Sequence, residues 1–255
     1  MPSPRCCDAR GTGFFGIPAL DVLVPEGLGA GLHMVETGGL SGDAAASGLV
    51  VSFVIHLCSD SMQALWVCQD FVQRESGRLY GPGLADLAMS PASLIIARAR
   101  RPRDVLWAME EGLQSGAVRA VVGEMRNAAA HLDLTATRRL SLQSEKAGIP
   151  VFLVVDGNEP QGATAAKTRW RVSSRPTHVA GNARDALDRP AWSVDLIKNK
   201  KGPCGRSDIA YHPGHRGFVQ IDARHEAVRH SAAAPDREGA VIHFSFRSRR
   251  GGRSS

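Results

Sequence analysis

Five short apolar runs, separated by segments with helical character, constrain the fold of this 255-residue chain more than any other feature. Helices are predicted over residues 45–58, 84–88, 103–115 and 135–147. Continuous apolar strands separated by helices are typical of a parallel sheet that is covered on both faces. We therefore predict an α/β fold with a mostly parallel sheet, and added edge strands after Gly157. The apolar runs are residues 32–35, 65–69, 93–99, 117–125 and 149–157.

The start of the chain and its cysteines indicate a cytoplasmic protein. Residues 1–10 contain Pro, Arg and Asp but no apolar region of the kind that a signal peptide needs. The longest apolar run, residues 49–57, is interrupted by Ser52 and is too short to span a bilayer. The five cysteines form neither a disulfide framework nor a CxxC pair. We expect reduced cysteines, no membrane contact and no metal site.

Positive charge is concentrated in the last quarter of the chain. From Lys198 to the end there are twelve Lys and Arg against five Asp and Glu, whereas the rest is close to neutral. Such a tail contacts nucleic acid or an acidic partner, or is simply a solvated tail that aids solubility. The composition after Arg224 is typical of disorder. We therefore divide the chain into a short leader (1–15), a folded domain (16–222) and a basic tail (223–255).

The segment between the first apolar run and the next helix has the layout of a phosphate-binding loop without its key residues. In a Walker A loop, backbone amides at a helix N-terminus cradle phosphates. Here the glycine spacing is one residue too short, Asp43 stands in place of the lysine, and alanines replace the hydroxyl residue. The Asp43 carboxylate would repel phosphate groups. We predict a degenerate nucleotide loop at Gly38, Gly39, Gly42 and Asp43, with a simple tight turn as the alternative.

The order of motifs along the chain resembles the RecA recombinase core. Residues 16–39 are similar to the segment that leads into the RecA nucleotide loop, and residues 93–125 to its helix, SGAV turn and Walker B strand. The run VDLIKNKKGP, residues 194–203, resembles the Lys-Asn-Lys strand of RecA. The resemblance extends from Gly16 to Asp222 and implies a RecA-like P-loop-type core.

Within that superfamily, the chain is more similar to the ImuA family of RecA-like inducible mutagenesis proteins. This resemblance implies a non-enzymatic adaptor, without a cofactor, in SOS-induced mutagenic translesion DNA synthesis. The implied partners are ImuB, a catalytically inert relative of Y-family polymerases, RecA and, through ImuB, an error-prone C-family DNA polymerase. The protein would then join the nucleoid on damaged DNA. The segments that carry the resemblance are RESGRLYGPGLADL (74–87), DVLWAMEEGLQSGAVRAVVGE (104–124), LDLTATRRLSLQSEKAGIPVFLV (132–154) and AAKTRWRV (165–172).

The resemblance also assigns candidate roles to single residues, none of them catalytic. Glu124 ends the fourth apolar run where Walker B proteins hold Mg²⁺, or it is a polar strand end in the crevice at the carboxyl edge of the sheet. Trp107 either packs in the core or in a groove, or it anchors a partner. Arg138 and Arg139 are either a solvated helix face or a contact to DNA.

Lys198 and Lys200 occupy the positions of the RecA Lys-Asn-Lys strand. In recombinase filaments such lysines reach the ATP that a neighbouring subunit holds. The resemblance implies that Lys198 and Lys200 contact the γ-phosphate on an adjoining RecA subunit and cap the filament there. A generic basic strand end is the alternative.

Two other classes of function stay open at this point. The first is an active RecA-like ATPase that modulates filaments, which Asp43 argues against. The second is a SulA-like inhibitor of the division GTPase FtsZ, which the basic tail argues against.

Overall fold

The structure, a computed structural model, describes residues 14–38, 44–58, 63–157, 162–175 and 189–221, which belong to one compact unit ending at Ile221. The predicted basic tail and most of the predicted nucleotide loop therefore lie outside the described residues. The helices are α1 (Pro18–Asp21), α2 (Ala45–Leu57), α3 (Asp70–Ser76), α4 (Gly81–Asp86), α5 (Pro102–Ser115) and α6 (Leu134–Ala147). The strands are β1 (Gly31–Thr37), β2 (Ala64–Gln69), β3 (Leu94–Ala99), β4 (Ala120–Glu124), β5 (Pro150–Val155), β6 (Thr168–Arg175), β7 (Ala191–Asn199), β8 (Gly205–His212) and β9 (Gly217–Gln220).

The nine described strands form one mixed sheet in the order β3-β2-β4-β5-β1-β6-β7-β8-β9. Neighbours from β3 to β6 are parallel, and neighbours from β6 to β9 are antiparallel. Parallel strands need crossover connections, and helices supply those between consecutive strands from β1 to β5. The carboxyl ends of β1, β2, β4 and β5 consequently meet at one edge. The predicted α/β class with a mostly parallel sheet is confirmed.

Helices cover both faces of the sheet, and each face has its own apolar core. On one face, α2 lies between the sheet and the segment that begins at Phe14. Because the helix is buried on both of these sides, apolar residues surround almost its whole circumference. Phe53 at the centre of α2 contacts Phe15, Trp170 and Phe218, with ring centroids 5.5 to 6.1 Å apart. No helix of the described residues is long and apolar enough to cross a membrane.

On the opposite face, α5 and α6 confirm the predicted helical spacing and stop signals. The buried side of α5 consists of apolar residues that recur at three- and four-residue intervals. Both helices end at a glycine in the left-handed conformation, Gly116 with φ 65° and Gly148 with φ 72°, where a side chain would be strained. The Asp133 side chain accepts a hydrogen bond from the Ala136 amide at 2.7 Å and caps the start of α6.

His33 links β1 to β6 beneath the α2 face. Its side chain is buried, and its Nε2 atom donates to the Gly29 carbonyl at 2.8 Å. The Nδ1 atom therefore accepts from the Thr168 hydroxyl, also at 2.8 Å, while the Trp170 indole donates to that same hydroxyl oxygen at 2.9 Å. Burial, together with the nearby Lys167 ammonium, lowers the pKa of His33 to about 4, so the ring is neutral at physiological pH.

We expect His33 to make the free energy of unfolding depend on pH. Its folded pKa of about 4 lies below its ordinary value of 6.5, so between these pH values the unfolded chain binds a proton that the folded chain does not. The stabilisation is complete above pH 6.5, falls as the pH is lowered, and levels off below about pH 4. The total loss is about 3 kcal/mol. Urea unfolding at pH 7 and pH 4.5 measures it.

The matched variants for this measurement are His33→Gln and, at an exposed histidine, His131→Gln. His33→Gln should remove most of the difference in the free energy of unfolding between pH 7 and pH 4.5, and His131→Gln should leave that difference unchanged. An unaltered pH dependence in His33→Gln would show that another group is responsible.

Candidate functional site at the carboxyl edge of the sheet

The crevice at the carboxyl edge begins where β1 ends. The Gly38 amide donates to the Val172 carbonyl at 2.6 Å, and a Cβ at this position would lie 2.7 Å from the Ser173 hydroxyl oxygen. Close approach to β6 thus requires a glycine at position 38, independently of any ligand. The other predicted loop residues, Gly39, Gly42 and Asp43, lie outside the described residues.

Glu124 ends β4 at this edge, as the sequence predicts, and neutral groups hold its carboxylate. The Ser47 hydroxyl donates to Oε1 at 2.5 Å, and the Trp66 indole and the Cys68 thiol donate to Oε2 at 3.0 and 3.5 Å. Burial and the negative charge of Glu124 raise the pKa of the Cys68 thiol to about 12, which keeps it protonated. Three donors from α2 and β2 therefore fix the carboxylate in one orientation.

Sequence reasoning missed Ser47 because it considered only the hydroxyl position of the Walker A motif, where alanines stand. Ser47 lies in the first turn of α2, and the parallel arrangement of β1 and β4 brings that turn to the end of β4. A serine in the first turn of the helix after β1 was the available signal. Its hydroxyl hydrogen is directed at Glu124.

A buried arginine closes the neighbouring side of the crevice. Arg126 is 9% exposed, and its guanidinium bonds to Glu75 at 3.1 Å and to the Ser76 hydroxyl at 2.8 Å. Its backbone amide donates to the Gln69 side chain at 3.0 Å. The segment after β4 is in this way fastened to β2 and α3. Sequence analysis did not identify Arg126, since its partners lie 50 to 57 residues earlier.

Glu36 carries a second buried carboxylate, one residue before the end of β1. It is 0% exposed, and Arg169 and Arg171 of β6 bind its two oxygens at 2.6 and 2.8 Å. The two arginines are two residues apart in β6 and therefore share one face of the sheet. The pairs neutralise the buried charge and fix β1 against β6.

Lys198 and Lys200 lie away from the Glu124 crevice. Their ammonium groups donate to the carbonyls of Thr164 and Ala165 at 2.6 and 2.7 Å. Partial burial, then the charges of Lys200 and Arg169, lower the pKa of Lys198. Strands β5, β1 and β6 separate β7 from β4. Each ammonium group has three donors, so these carbonyl contacts leave donors for a further acceptor. The role of these lysines at a RecA subunit stays a prediction.

The remaining predicted residues lie on the pair of helices α5 and α6. Trp107 is 62% exposed, and Arg139 reaches from α6 to Glu110 of α5 at 2.6 Å, one turn from Trp107. Arg138 is exposed on α6. Trp107 and Arg139 thus belong to the helix pair on the face opposite α2, whereas the Glu124 carboxylate is held by α2 and β2.

Replacing Arg126 with methionine should lower the free energy of unfolding by about 2 kcal/mol, since the substitution removes charge-assisted bonds in a buried setting. Urea unfolding of the purified variant measures the loss. Arg138→Met removes an exposed arginine of the same length and should change stability by less than about 0.5 kcal/mol. Equal stability of the two variants would contradict a fastening role for Arg126.

Comparison with known proteins supports the resemblance noted in the sequence. No family model matches the chain. Over 210 residues it is 33% identical to Protein ImuA from two strains of Caulobacter vibrioides, NA1000 / CB15N and ATCC 19089 / CIP 103742 / CB 15. The match covers 75% of this chain and 80% of each relative. At this identity and coverage, the chain belongs to the ImuA family.

Proposed function

We propose that this chain is a non-enzymatic adaptor in SOS-induced mutagenic translesion DNA synthesis. It would contact ImuB and RecA and, through ImuB, an error-prone C-family DNA polymerase, acting in the cytoplasm and at damaged sites on the nucleoid. Membership of the ImuA family supports this proposal. An adaptor needs surfaces that bind other proteins, and the proposal rests on the observation of an exposed apolar surface on this chain.

The surface is the outer edge of β3, which lies at one end of the described sheet. Ile95 and Ile96 are 41% and 47% exposed on this edge, and Trp107 of α5 is 62% exposed. Edge strands are usually protected by charge, proline or a covering element, because they pair readily with other chains. An open groove of about 300 Å³ lies alongside, lined by Trp107 and by arginines including Arg100 and Arg101. Exposed apolar groups beside arginines favour a protein partner with apolar and acidic residues.

The polar residues of the carboxyl edge support a role without catalysis. Glu124 accepts hydrogen bonds from three neutral donors, and Gln69 is bonded to the Arg126 amide. The hydroxyl of Ser47 is also used internally. Groups that would orient a nucleotide or a water molecule in an ATPase are thus bonded to each other here.

Deleting the chain from its bacterium should abolish mutagenesis after DNA damage and leave homologous recombination unchanged. Mutation frequency after ultraviolet irradiation measures the first, and recombination frequency the second. Complementation with the double variant Ile95→Lys and Trp107→Ala should fail, because it removes the apolar contacts and adds a charge to the edge. Leu142→Ala, which truncates an exposed side chain of α6, should complement fully.

The deletion strain and the double variant test different parts of this proposal. Full induced mutagenesis in the deletion strain would refute the assignment. Full complementation by the double variant, in a strain where the deletion abolishes mutagenesis, would refute the β3 edge as the contact surface.

ATP should not bind with useful affinity. The loop lacks its lysine and its hydroxyl residue, and each charge-assisted contact that is missing is worth about 1.5 to 3 kcal/mol. Calorimetry with ATP and Mg²⁺ should show no binding isotherm, with an active RecA-type ATPase as the positive control. Micromolar affinity, or hydrolysis that Asp43→Ala abolishes, would favour the alternative of an active ATPase.

A further inference from the structure

A groove of about 280 Å³ lies between the sheet and the segment of α3 and α4, on the α2 face. Trp66 and Ile96 line it from the sheet, and Leu84 and Tyr80 line it from the α4 side. Tyr80 is 71% exposed, so an aromatic ring is available to a ligand. This groove is on the opposite face of β3 from Trp107 and adjoins the contact surface proposed above through Ile96.

The carboxylate of Glu124 is part of the lining of this mostly apolar groove. Its three hydrogen-bond donors are all neutral, and none of the described residues forms an ion pair with it. A carboxylate accepts about four hydrogen bonds, and among the described residues only Ser47 donates to Oε1. A partly buried negative charge beside apolar walls attracts a cation more strongly than an exposed one does.

The basic groups nearest to the groove do not pair with the Glu124 carboxylate. Arg78 lines the groove, but its side chain is exposed and makes no ion pair with Glu124. The Arg126 guanidinium, in the neighbouring crevice, is bonded to Glu75 and Ser76. The negative charge of Glu124 thus lacks a cationic partner among the described residues.

The chemistry of the lining selects the kind of cation. Mg²⁺ prefers an octahedral shell of oxygen ligands, whereas the walls here are largely aromatic and aliphatic. No group of three or more His, Cys, Asp and Glu side chains able to hold a metal occurs among the described residues. A flexible aliphatic stem that ends in a cation matches both the apolar walls and the carboxylate, because the stem packs on the walls while the head pairs with the carboxylate.

We propose that this groove binds a lysine or arginine side chain of a partner protein. The stem lies against Trp66, Ile96 and Leu84, and the cationic head donates to Oε1 of Glu124. Trp66, Cys68 and Ser47 hold the carboxylate in place before the partner arrives, which reduces the entropy cost of binding. The proposal rests on the adaptor function, and it adds a basic anchor to the partner surface at the β3 edge.

The test uses butylguanidinium as the probe and butylurea as its neutral isostere. The indole N–H of Trp66 donates directly to Glu124, so its signal in a ¹H–¹⁵N NMR spectrum, assigned with Trp66→Phe, reports on the carboxylate. Butylguanidinium should shift this signal saturably. Butylurea should bind about tenfold more weakly, since it forms no charge-assisted bond.

Glu124→Gln keeps the shape and an acceptor oxygen but removes the charge, so it should abolish the preference for butylguanidinium. Glu111→Gln, at an exposed carboxylate of α5, should retain that preference. Equal binding of the two probes by the unaltered chain would overturn the proposal, and so would an unchanged preference in Glu124→Gln. An equally strong, saturable shift with Mg²⁺ would also overturn it, in favour of a metal site.

The probe experiment and the deletion strain can each succeed or fail without the other. Failure of the probe experiment, with mutagenesis abolished in the deletion strain, removes only the basic anchor. Selective binding of butylguanidinium, with mutagenesis intact in the deletion strain, refutes the adaptor function and leaves a cation-binding groove.

Discussion

The pairing of β1 with β6 is the interaction on which the rest of the structure depends. It joins the parallel half of the sheet to the antiparallel extension, and it is fixed on both faces. On one face His33 bonds to Thr168, and on the other Glu36 is held by Arg169 and Arg171. A slip of one residue would exchange the faces and leave a buried carboxylate without its arginines, which costs about 3–5 kcal/mol.

The strand order around the β1–β6 pair also determines which groups lie at the carboxyl edge of the sheet and which lie on its outermost strand. The parallel strands bring Glu124, Gln69 and the start of α2 to one edge, where a nucleotide would bind in an active relative. In this chain those side chains bond to one another, and Arg126 fastens the segment after β4 to α3. The accessible features that result are an apolar groove beside Glu124 and the edge of β3, which none of the described residues covers by pairing with it. These two features are the basis of the proposed contacts with protein partners.

Local sequence patterns predicted most of the regular elements, though not the short helices α1 and α3, because the causes of those elements are local. The five apolar runs became β1 to β5, and α5 and α6 end at the glycines that the sequence indicates. Pairings between distant residues escaped prediction. Glu36 and Arg171 are 135 positions apart, and Ser47 and Glu124 are 77 apart, so no local pattern connects them. The contacts of the Lys198 and Lys200 ammonium groups with backbone carbonyls of this chain were not predicted either, and their role at a partner stays a prediction.

By itself, the sequence determined the α/β class, the order of the first five strands with their longer helices, and the family, because apolar periodicity, turn residues and motif order are properties of the linear chain. Only the tertiary structure decided which charges are neutralised, which hydroxyl meets Glu124 and which apolar side chains stay exposed. Those outcomes depend on strand order and on the distance between elements. Trp107 illustrates the difference: its position in a helix was predictable, whereas only the structure shows that the side chain is left exposed rather than packed in the core or a groove.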